Sequence, residues 1–526
     1  MYSAPLFRPD EAQLDSFNKN ITGYIKNLLP YSLGYKSVPA FKSFIALPLK
    51  SKVLGSASFL KANDARTNYM FIGTTDGIYR FLPEGSLTHI ELIKSGKLVG
   101  DEGKGLIKVW DDNVPETNIW EFIEFAGYIF ALTEDRPLLY YDLNSTDAIV
   151  KFKKVEVNNN GQVGYIYGQT VSVWGDHLVV GGVTNERTGD RNLVQWSNLN
   201  KPLEWKLDKN SDADNQQFFS GGRVVNITRG KRPYIFMDNS IYRGIYIPSS
   251  NLLFQFSEVM NHIGLLARKS LVELEDVCYF YSDVGFCKID INGNLSNIGD
   301  GAVNNYIRNR VSISNLRDMQ GTLLFNNRYI GWSYKKNENL EARYDHILVY
   351  EPTLNIWSEI YFEHNNLIAA YSFGYTLEGL DRVSQHIEQL PYSLDSDVWV
   401  GGSLVNAGID GKGNIGAFKN GYMPSEIDSG LLASEDGSLT EVTRIRLDCN
   451  NKAYLGNIMS SYYNDPYIDN LSNVKESGFA GVSNKIDWIY NRARSRYIRV
   501  RFTIPGSNTE YYINNYDIIM RRAGIL

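Results

Sequence analysis

The sequence predicts an all-β protein, a β-propeller with an extended N-terminal arm and a C-terminal β-sandwich or barrel-like region. Three observations carry this expectation. From about Lys52 onward, short apolar runs of strand length alternate with Gly, Asn and Asp turns. Six of these runs share one form, strand, tight turn, strand, and recur at roughly the 40 to 60 residue period of propeller blades. Aromatic residues are abundant, with 35 Tyr, 24 Phe and 9 Trp among 526 residues, and aromatic side chains favour strands and large interfaces.

The arm, residues 1–50, carries prolines at positions 5, 9, 30, 39 and 48. That spacing favours extended chain, with room for one short helix over residues 11–29. The propeller is expected over 51–370. Its first unit, 69–81, contains Asp76-Gly77, a strong two-residue hairpin signal. Further units follow at 122–141, 171–196, 234–247, 277–289 and 323–357, so the blade count is six, or seven if strands from elsewhere complete one. They share hydrophobic pattern and not residue identity, which suffices for four-stranded blades that bury their faces against each other. The C-terminal β-rich domain, 371–526, opens with glycine-rich segments at Gly401-Gly402 and between Gly408 and Gly416. In Arg444-Ile445-Arg446-Leu447 and Ile498-Arg499-Val500-Arg501-Phe502, apolar and basic residues alternate, so each strand should bury one face. Leu377, Leu380, Val383, Ile387 and Leu390 recur at helical spacing, and Pro391 ends that helix.

Charge is nearly balanced, 53 Lys and Arg against 59 Asp and Glu, which excludes a protein that grips phosphates with its whole surface. Any DNA contact is therefore local or loose. Cys278, Cys287 and Cys449 are too few and too scattered for a disulfide framework or a four-ligand zinc site, and read as reduced, buried residues. No run reaches the roughly 20 apolar residues of a membrane-spanning helix, and the first ten residues lack an export or acylation signal. Synthesis in a cytoplasm is the expectation.

Six scattered histidines include no His-Glu-x-x-His pair, and neither a G-x-S-x-G elbow nor a phosphate-binding loop occurs; Gly103-Lys104 lacks the upstream glycine. Asp208, Asn210, Asp212 and Asp214 have the alternate spacing of a calcium loop. Ala213 stands where its glycine belongs, however, and Phe219 replaces its bidentate glutamate, so a solvated loop is the better reading. The chain is thus expected to be no enzyme, with no catalytic residue, cofactor or metal. The densest basic cluster is Arg492, Arg494, Arg496, Arg499 and Arg501, interleaved with Tyr497. Such a strand could touch a phosphate backbone or an acidic neighbour, or simply turn its basic face to solvent or to another subunit. Lys335 and Lys336 open a polar insertion between two strands, a second candidate for nucleic-acid or subunit contact that equally fits an exposed loop.

Several segments, taken in order, resemble the tail nozzle or tail hub proteins of short-tailed bacteriophages, the family of the packaged-DNA stabilisation proteins. Asn27-Leu28-Leu29-Pro30 and Gly34-Tyr35-Lys36-Ser37-Val38-Pro39 resemble its N-terminal arm, with Ala40 where a glycine is usual. Glu121-Phe122-Ile123-Glu124-Phe125, and Ile263-Gly264-Leu265 followed by residues 279–286, resemble blade strands of the family. The longest match runs from Tyr375-Thr376-Leu377-Glu378-Gly379-Leu380-Asp381 through Leu390-Pro391-Tyr392-Ser393 to Trp399-Val400-Gly401-Gly402. Ile427-Asp428-Ser429-Gly430, residues 494–501 and Arg521-Arg522-Ala523-Gly524 continue it. The resemblance implies a structural virion protein of the phage tail: a homohexameric ring below the portal-adaptor, closing the capsid channel after packaging and conducting DNA during ejection. Implied partners are further copies of the chain, tail adaptor and portal-proximal proteins, tail fibre or needle proteins, and double-stranded DNA without sequence specificity. The alternative is a propeller-fold glycan hydrolase or glycan-binding tail protein, since propellers often carry carboxylates at their central mouth. A cellular propeller scaffold would show Trp-Asp repeats, which are missing.

Overall fold

The computed structural model describes residues 2–3, 6–9, 21–32, 34–45, 51–61, 64–83, 86, 89, 105–145, 150–159, 162–184, 189–208, 211–247, 253–375, 377–390, 393–395, 399, 401–433, 438–461, 474–482 and 487–523. The chain is mostly β, and from Val53 to Asn297 it forms five antiparallel sheets of four strands in sequence order. The first comprises Val53–Lys61, Asp64–Thr74, Gly77–Leu82 and Gly105–Asp111; the second runs from Glu121–Phe125 to Lys153–Lys154, the third from Thr170–Trp174 to Asp214–Gln217. The fourth runs from Val224–Ile227 to Phe254–Asn261 and the fifth from Val272–Leu274 to Leu295–Asn297. A sixth set, Gln320–Leu324 to Ile356–Tyr371, continues into Leu404–Asp410, Ile415–Tyr422 and Pro39–Ile45, a seven-stranded sheet in all.

The opening strands of the first four sheets lie against one another in succession, as do those of the fifth and sixth; the fourth and fifth sheets share an apolar cluster, and the long strand Ile356–Tyr371 returns against Val53–Lys61, which closes the circle in a propeller-like arrangement. Each junction is an apolar seam. Phe71, Trp120, Phe122 and Tyr141 fill the first, Phe130, Val171, Leu178 and Trp205 the second, and Phe236, Phe280 and Cys287 the fourth. Turn chemistry fixes the hairpins. The Thr74 hydroxyl donates to the Gly77 carbonyl across Asp76-Gly77, and Ser282 repeats the contact with Gly285. Asp290 and Asp410 each cap an identical five-residue loop: one carboxylate oxygen accepts from the backbone N–H groups two and four residues on, the other from the Asn294 or Asn414 side chain. Gly293 and Gly413 take the positive φ those loops require.

The centre of the circle is filled. A single 3₁₀ turn, Arg268–Ser270, sits among the inner strands. The Arg268 guanidinium reaches Glu121 at 2.9 Å, Glu134 at 2.6 Å and the Gln169 carbonyl, while the Arg268 carbonyl accepts from Asn226. Lys269 donates to the Leu54 carbonyl at 3.0 Å, and the Ser270 carbonyl accepts from Trp332 Nε1 at 2.9 Å. One turn from the fifth sheet's approach thereby ties to the first, second, third, fourth and sixth. Burial holds the Lys269 amine well below the ordinary lysine value.

Two further sheets hold the C-terminal strands together with segments from the N-terminal fifty residues. One has the order Ile489–Ser495, Thr440–Cys449, Tyr512–Arg522, Gly34–Ser37, Leu28–Tyr31; the other runs Ile25–Lys26, Ser425–Asp428, Tyr497–Ile504, Leu455–Ser461, Val474–Glu476. Between them they bury Val442, Ile445, Ile458, Ile498, Val500, Phe502 and Tyr516. The expected helix over 11–29 does not form in its described part, since Ile21–Thr22, Ile25–Lys26 and Leu28–Tyr31 are strands; residues 11–20 lie outside the described residues. Asn27 shows why: its φ of 58° breaks a helix, and its side chain donates to the Pro424 carbonyl at 2.8 Å. The other expected helix forms over Leu377–Val383, followed by the 3₁₀ turn Ile387–Gln389. Asn210 of the calcium-like spacing lies outside the described residues. All three cysteines are free, Cys278 and Cys287 buried and Cys449 half-buried.

Candidate nucleic-acid and subunit interface

The basic cluster lies on two neighbouring strands with different fates. Ile489–Ser495 is the edge of its sheet and pairs with Thr440–Cys449, which places Arg494 opposite Glu441 and Tyr490 opposite Arg444. Thr440–Cys449 pairs in turn with Tyr512–Arg522, so Glu441 also faces Arg521. Alternation sends Ile445 and Leu447 into the core and Arg444 and Arg446 outward, and a register shift between Val442 and Arg444 lets Val442 join the core face. The outward face is therefore a strip of arginines. Arg444 and Arg446 lie over the Trp488 ring at 5.7 and 5.2 Å, and Arg446 pairs with Asp517. Arg521 Nε donates to Glu441 at 2.6 Å, whereas Arg494 stands 3.9 Å from the same carboxylate. The Arg521 hydrogen bond, helped by Arg494 and Arg492, holds the Glu441 carboxyl below the ordinary range. Arg492 and Arg494 are exposed and Arg496 is half-buried.

Beside Arg494 opens a cleft of about 340 Å³ whose polar lining is Lys475, Arg492, Arg494, Ser460, Ser477 and Ser495. Ser477 Oγ accepts from the Ile458 N–H at 3.0 Å and the Asn491 amide at 2.8 Å, and donates to Asn457; Ser460 donates to the Lys475 carbonyl. These bonds fix the walls.

Arg499 and Arg501 belong to the next strand, Tyr497–Ile504, where Ile498, Val500 and Phe502 face the core. Arg499 is buried. Arg501 grips Asp428 with two bonds of 2.6 and 2.9 Å and lies 4.2 Å from the Tyr24 ring. Burial pushes the Asp428 carboxyl above its ordinary value against the pull of Arg501. Here the basic face of the strand is covered by the N-terminal segment. Lys336 donates to the Tyr306 hydroxyl at 3.3 Å, beside the buried Glu359 that also accepts from Tyr306 and Tyr334. Lys335 folds back on the Leu340 carbonyl at 2.7 Å. The two lysines and the arginine strip are thus on different parts of the chain's own packing. Lys475, Glu441 and Arg521 were not singled out from sequence as members of this site; the alternation marked the strands, but only the register reveals which of their side chains converge.

Among the described residues, no group of three or more His, Cys, Asp or Glu side chains could hold a metal ion, and no helix is long and apolar enough to cross a membrane.

The fold is β-propeller-like. No family model matches the sequence, and no curated protein matches it. Among solved structures it is similar to the extracellular domain of a putative one-component system, BT4673, from B. thetaiotaomicron, with 11% identity and TM-score 0.34, covering 62% of this chain and 35% of that one. It is also similar to the AfRom2 CNH domain, with 8% identity and TM-score 0.35 over 73% of this chain and 97% of that one. Kluyveromyces lactis Hsv2 gives 8% identity and TM-score 0.27 over 59% and 97%. This chain spans about a third of the length of the first, and none of these likenesses bears on what it does.

Proposed function

We propose that this chain is a structural component of a short-tailed bacteriophage tail, a nozzle or hub ring below the portal-adaptor through which DNA leaves the capsid. In this reading residues 51–370 are the propeller, 1–50 the arm, and 371–526 the C-terminal β-rich domain whose strands pair with that arm, with adaptor and fibre or needle proteins as neighbours. One observation carries the reading. Segments that resemble the family lie together in the two C-terminal sheets: Asp428 is clasped by Arg501, and Asn27 and Tyr35 reach the same region through Pro424 and Ile513. Residues that define a resemblance in scattered pieces are thereby parts of one structural unit. A closed ring also suits a chain with different faces, because heterologous contacts that close leave no free edge. The test is a reconstruction of intact particles containing this chain. A ring of copies on the tail axis below the portal is expected; a single copy there, or copies on the capsid away from the DNA path, refutes the proposal.

A further inference from the structure

We propose that a cleft between the second and third sheets is a carbohydrate site that takes one sugar unit of a glycan chain. The cleft measures about 260 Å³ and is lined by Asp135, Tyr167, Gly168, Gly182, Thr184 and Arg191. Glu134 and Gln169, next in sequence to Asp135 and Gly168, bond Arg268, so the cleft borders the filled centre of the circle. Its walls are fixed in advance, which spares a ligand the cost of ordering them. Arg136 Nη1 donates to the Asp135 carbonyl at 3.2 Å while its Nε grips Asp112 at 2.9 Å, and Asp135 is held in a left-handed conformation with φ of 59°. Such backbone is found at ligand clamps, where the surrounding structure sustains it. Arg191 Nη2 donates to the Asp135 carboxylate at 2.5 Å, and the Tyr167 backbone is bridged to Pro137. Gly168 and Gly182 leave their wall bare, and packing keeps them so, since a Cβ there would meet Val180 or Gln169.

The chemistry of the lining selects the ligand. An ionised carboxylate only accepts hydrogen bonds and a guanidinium only donates them. Side by side, Asp135 and Arg191 answer both functions of neighbouring hydroxyl groups, while Asp135 disfavours an anion and Arg191 a cation. A neutral polyhydroxylated ring meets these terms. Its C–H face calls for an apolar platform, and the Tyr167 ring, 45% exposed, supplies one. A chain of sugars suits the surroundings better than a free sugar. The Phe218 N–H donates to the Asn192 carbonyl at 3.0 Å and the Val224 N–H to the Arg191 carbonyl at 2.9 Å, so the connection 218–224 borders the cleft. That connection is braced by the Asn239 N–H on the Gly221 carbonyl and by Arg223 on both Asp238 oxygens, yet it presents Phe219 87% exposed. The exposed phenyl ring offers a second platform beyond the first unit. The inference does not rest on the tail-ring reading, because the cleft lies within one copy of the chain.

The experiment presents the purified full-length protein with glucose, galactose, mannose, rhamnose, N-acetylglucosamine and N-acetylgalactosamine, read by saturation-transfer NMR and titration calorimetry. At least one should bind with a Kd of roughly 1 to 10 mM. Tyr167→Ala, which removes the platform, and Asp135→Asn, which keeps the shape and removes the charge, should each weaken that sugar about tenfold. Phe479→Ala, at an aromatic side chain 54% exposed elsewhere, should match the parent. The disaccharide of the best-bound sugar should bind about tenfold more tightly than the monomer, and Phe219→Ala should remove that gain while leaving the monomer unchanged. Absence of binding to all six sugars overturns the proposal, as does binding that Tyr167→Ala and Phe479→Ala affect alike. Where Tyr167→Ala fails to fold, Asp135→Asn carries the same decision. A disaccharide bound no more tightly than its monomer, or a gain that survives Phe219→Ala, overturns the assignment to a glycan chain.

Discussion

Replacing Arg268 with methionine probes the contact that joins most of the sheets. The Arg268 side chain is 9% exposed and pairs with the side chains of Glu121, 21% exposed, and Glu134, 26% exposed. Removing one partner of a buried ion pair costs about 3 to 5 kcal/mol, chiefly because the remaining charge is left uncompensated. Both glutamates keep some contact with water, and Glu121 also accepts from the Val171 N–H at 3.1 Å, so the lower end applies, about 3 kcal/mol. For a cooperative unit of roughly 320 residues the unfolding entropy is about 0.67 kcal/mol/K, which converts that loss to a fall in Tm of about 4 to 5 °C. Calorimetry reads it directly. If the cost is the stranded carboxylate, adding Glu121→Gln to Arg268→Met should restore at least about 1 kcal/mol, a coupling that independent sites would not show. A Tm for Arg268→Met within about 1 °C of the parent would refute the assignment of this turn as the keystone of the circle.

Three further outcomes are expected. His364 is fully buried between the Phe362 carbonyl and the Ser333 hydroxyl, and burial lowers its pKa to about 4 from 6.5. The unfolded chain then binds the extra proton between those values, so stability is complete above pH 6.5 and falls by about 3 kcal/mol as pH drops through 4; the Tm gap between parent and His364→Gln should shrink over that window, and a constant gap counts against it. Lys269 also has a depressed folded value, so the unfolded state takes up the proton first and stability due to this group rises with pH toward its ordinary 10.5; Lys269→Met should abolish that alkaline gain, and parallel Tm curves would count against it. Asp428→Asn weakens the clasp on Arg501 and should cost about 3 kcal/mol; hydrogen exchange in Ile25–Lys26, which pairs with Ser425–Asp428, should accelerate, and unchanged protection there would separate the clasp from the N-terminal segment.

What the sequence discloses is the local part of this structure. Asp76-Gly77 is readable as a hairpin because turn and flanking strands are contiguous, and the observed pairing of Gly77 with Thr74 follows from them. The six strand pairs fall within the successive sheets for the same reason. Long-range pairing leaves no such trace. Tyr35 meets Ile513 across most of the chain, and Asn27 adopts its left-handed conformation because Pro424 and Glu359 stand ready to bond it, so helical spacing around it misleads. Ala267-Arg268-Lys269-Ser270 has the composition of an exposed loop, yet Arg268 is 8% exposed because its carboxylate partners arrive from residues 121 and 134. The arginine strip shows the same division: alternation identified the strands, and burial beneath Tyr24 separated Arg501 from Arg494.

The filled centre constrains any conduit built from this chain. A propeller commonly leaves a channel along its own axis, but here Arg268, Lys269 and Ser270 occupy that position with bonds to five sheets. Opening it would strand Glu121 and Glu134 and break the Trp332 contact together, a cost no passing polymer repays. In the proposed ring, DNA must therefore run between copies, along surfaces that each chain turns toward a common axis, and the propeller acts as a wall. That assigns opposite electrostatic requirements to two parts of one molecule. The buried charges at the blade centre must be matched for rigidity, whereas the arginine strip at the edge of the C-terminal sheet can remain partly unmatched because it faces water. Arg492 and Arg494 stand exposed on such a surface, in a chain whose overall charge is negative.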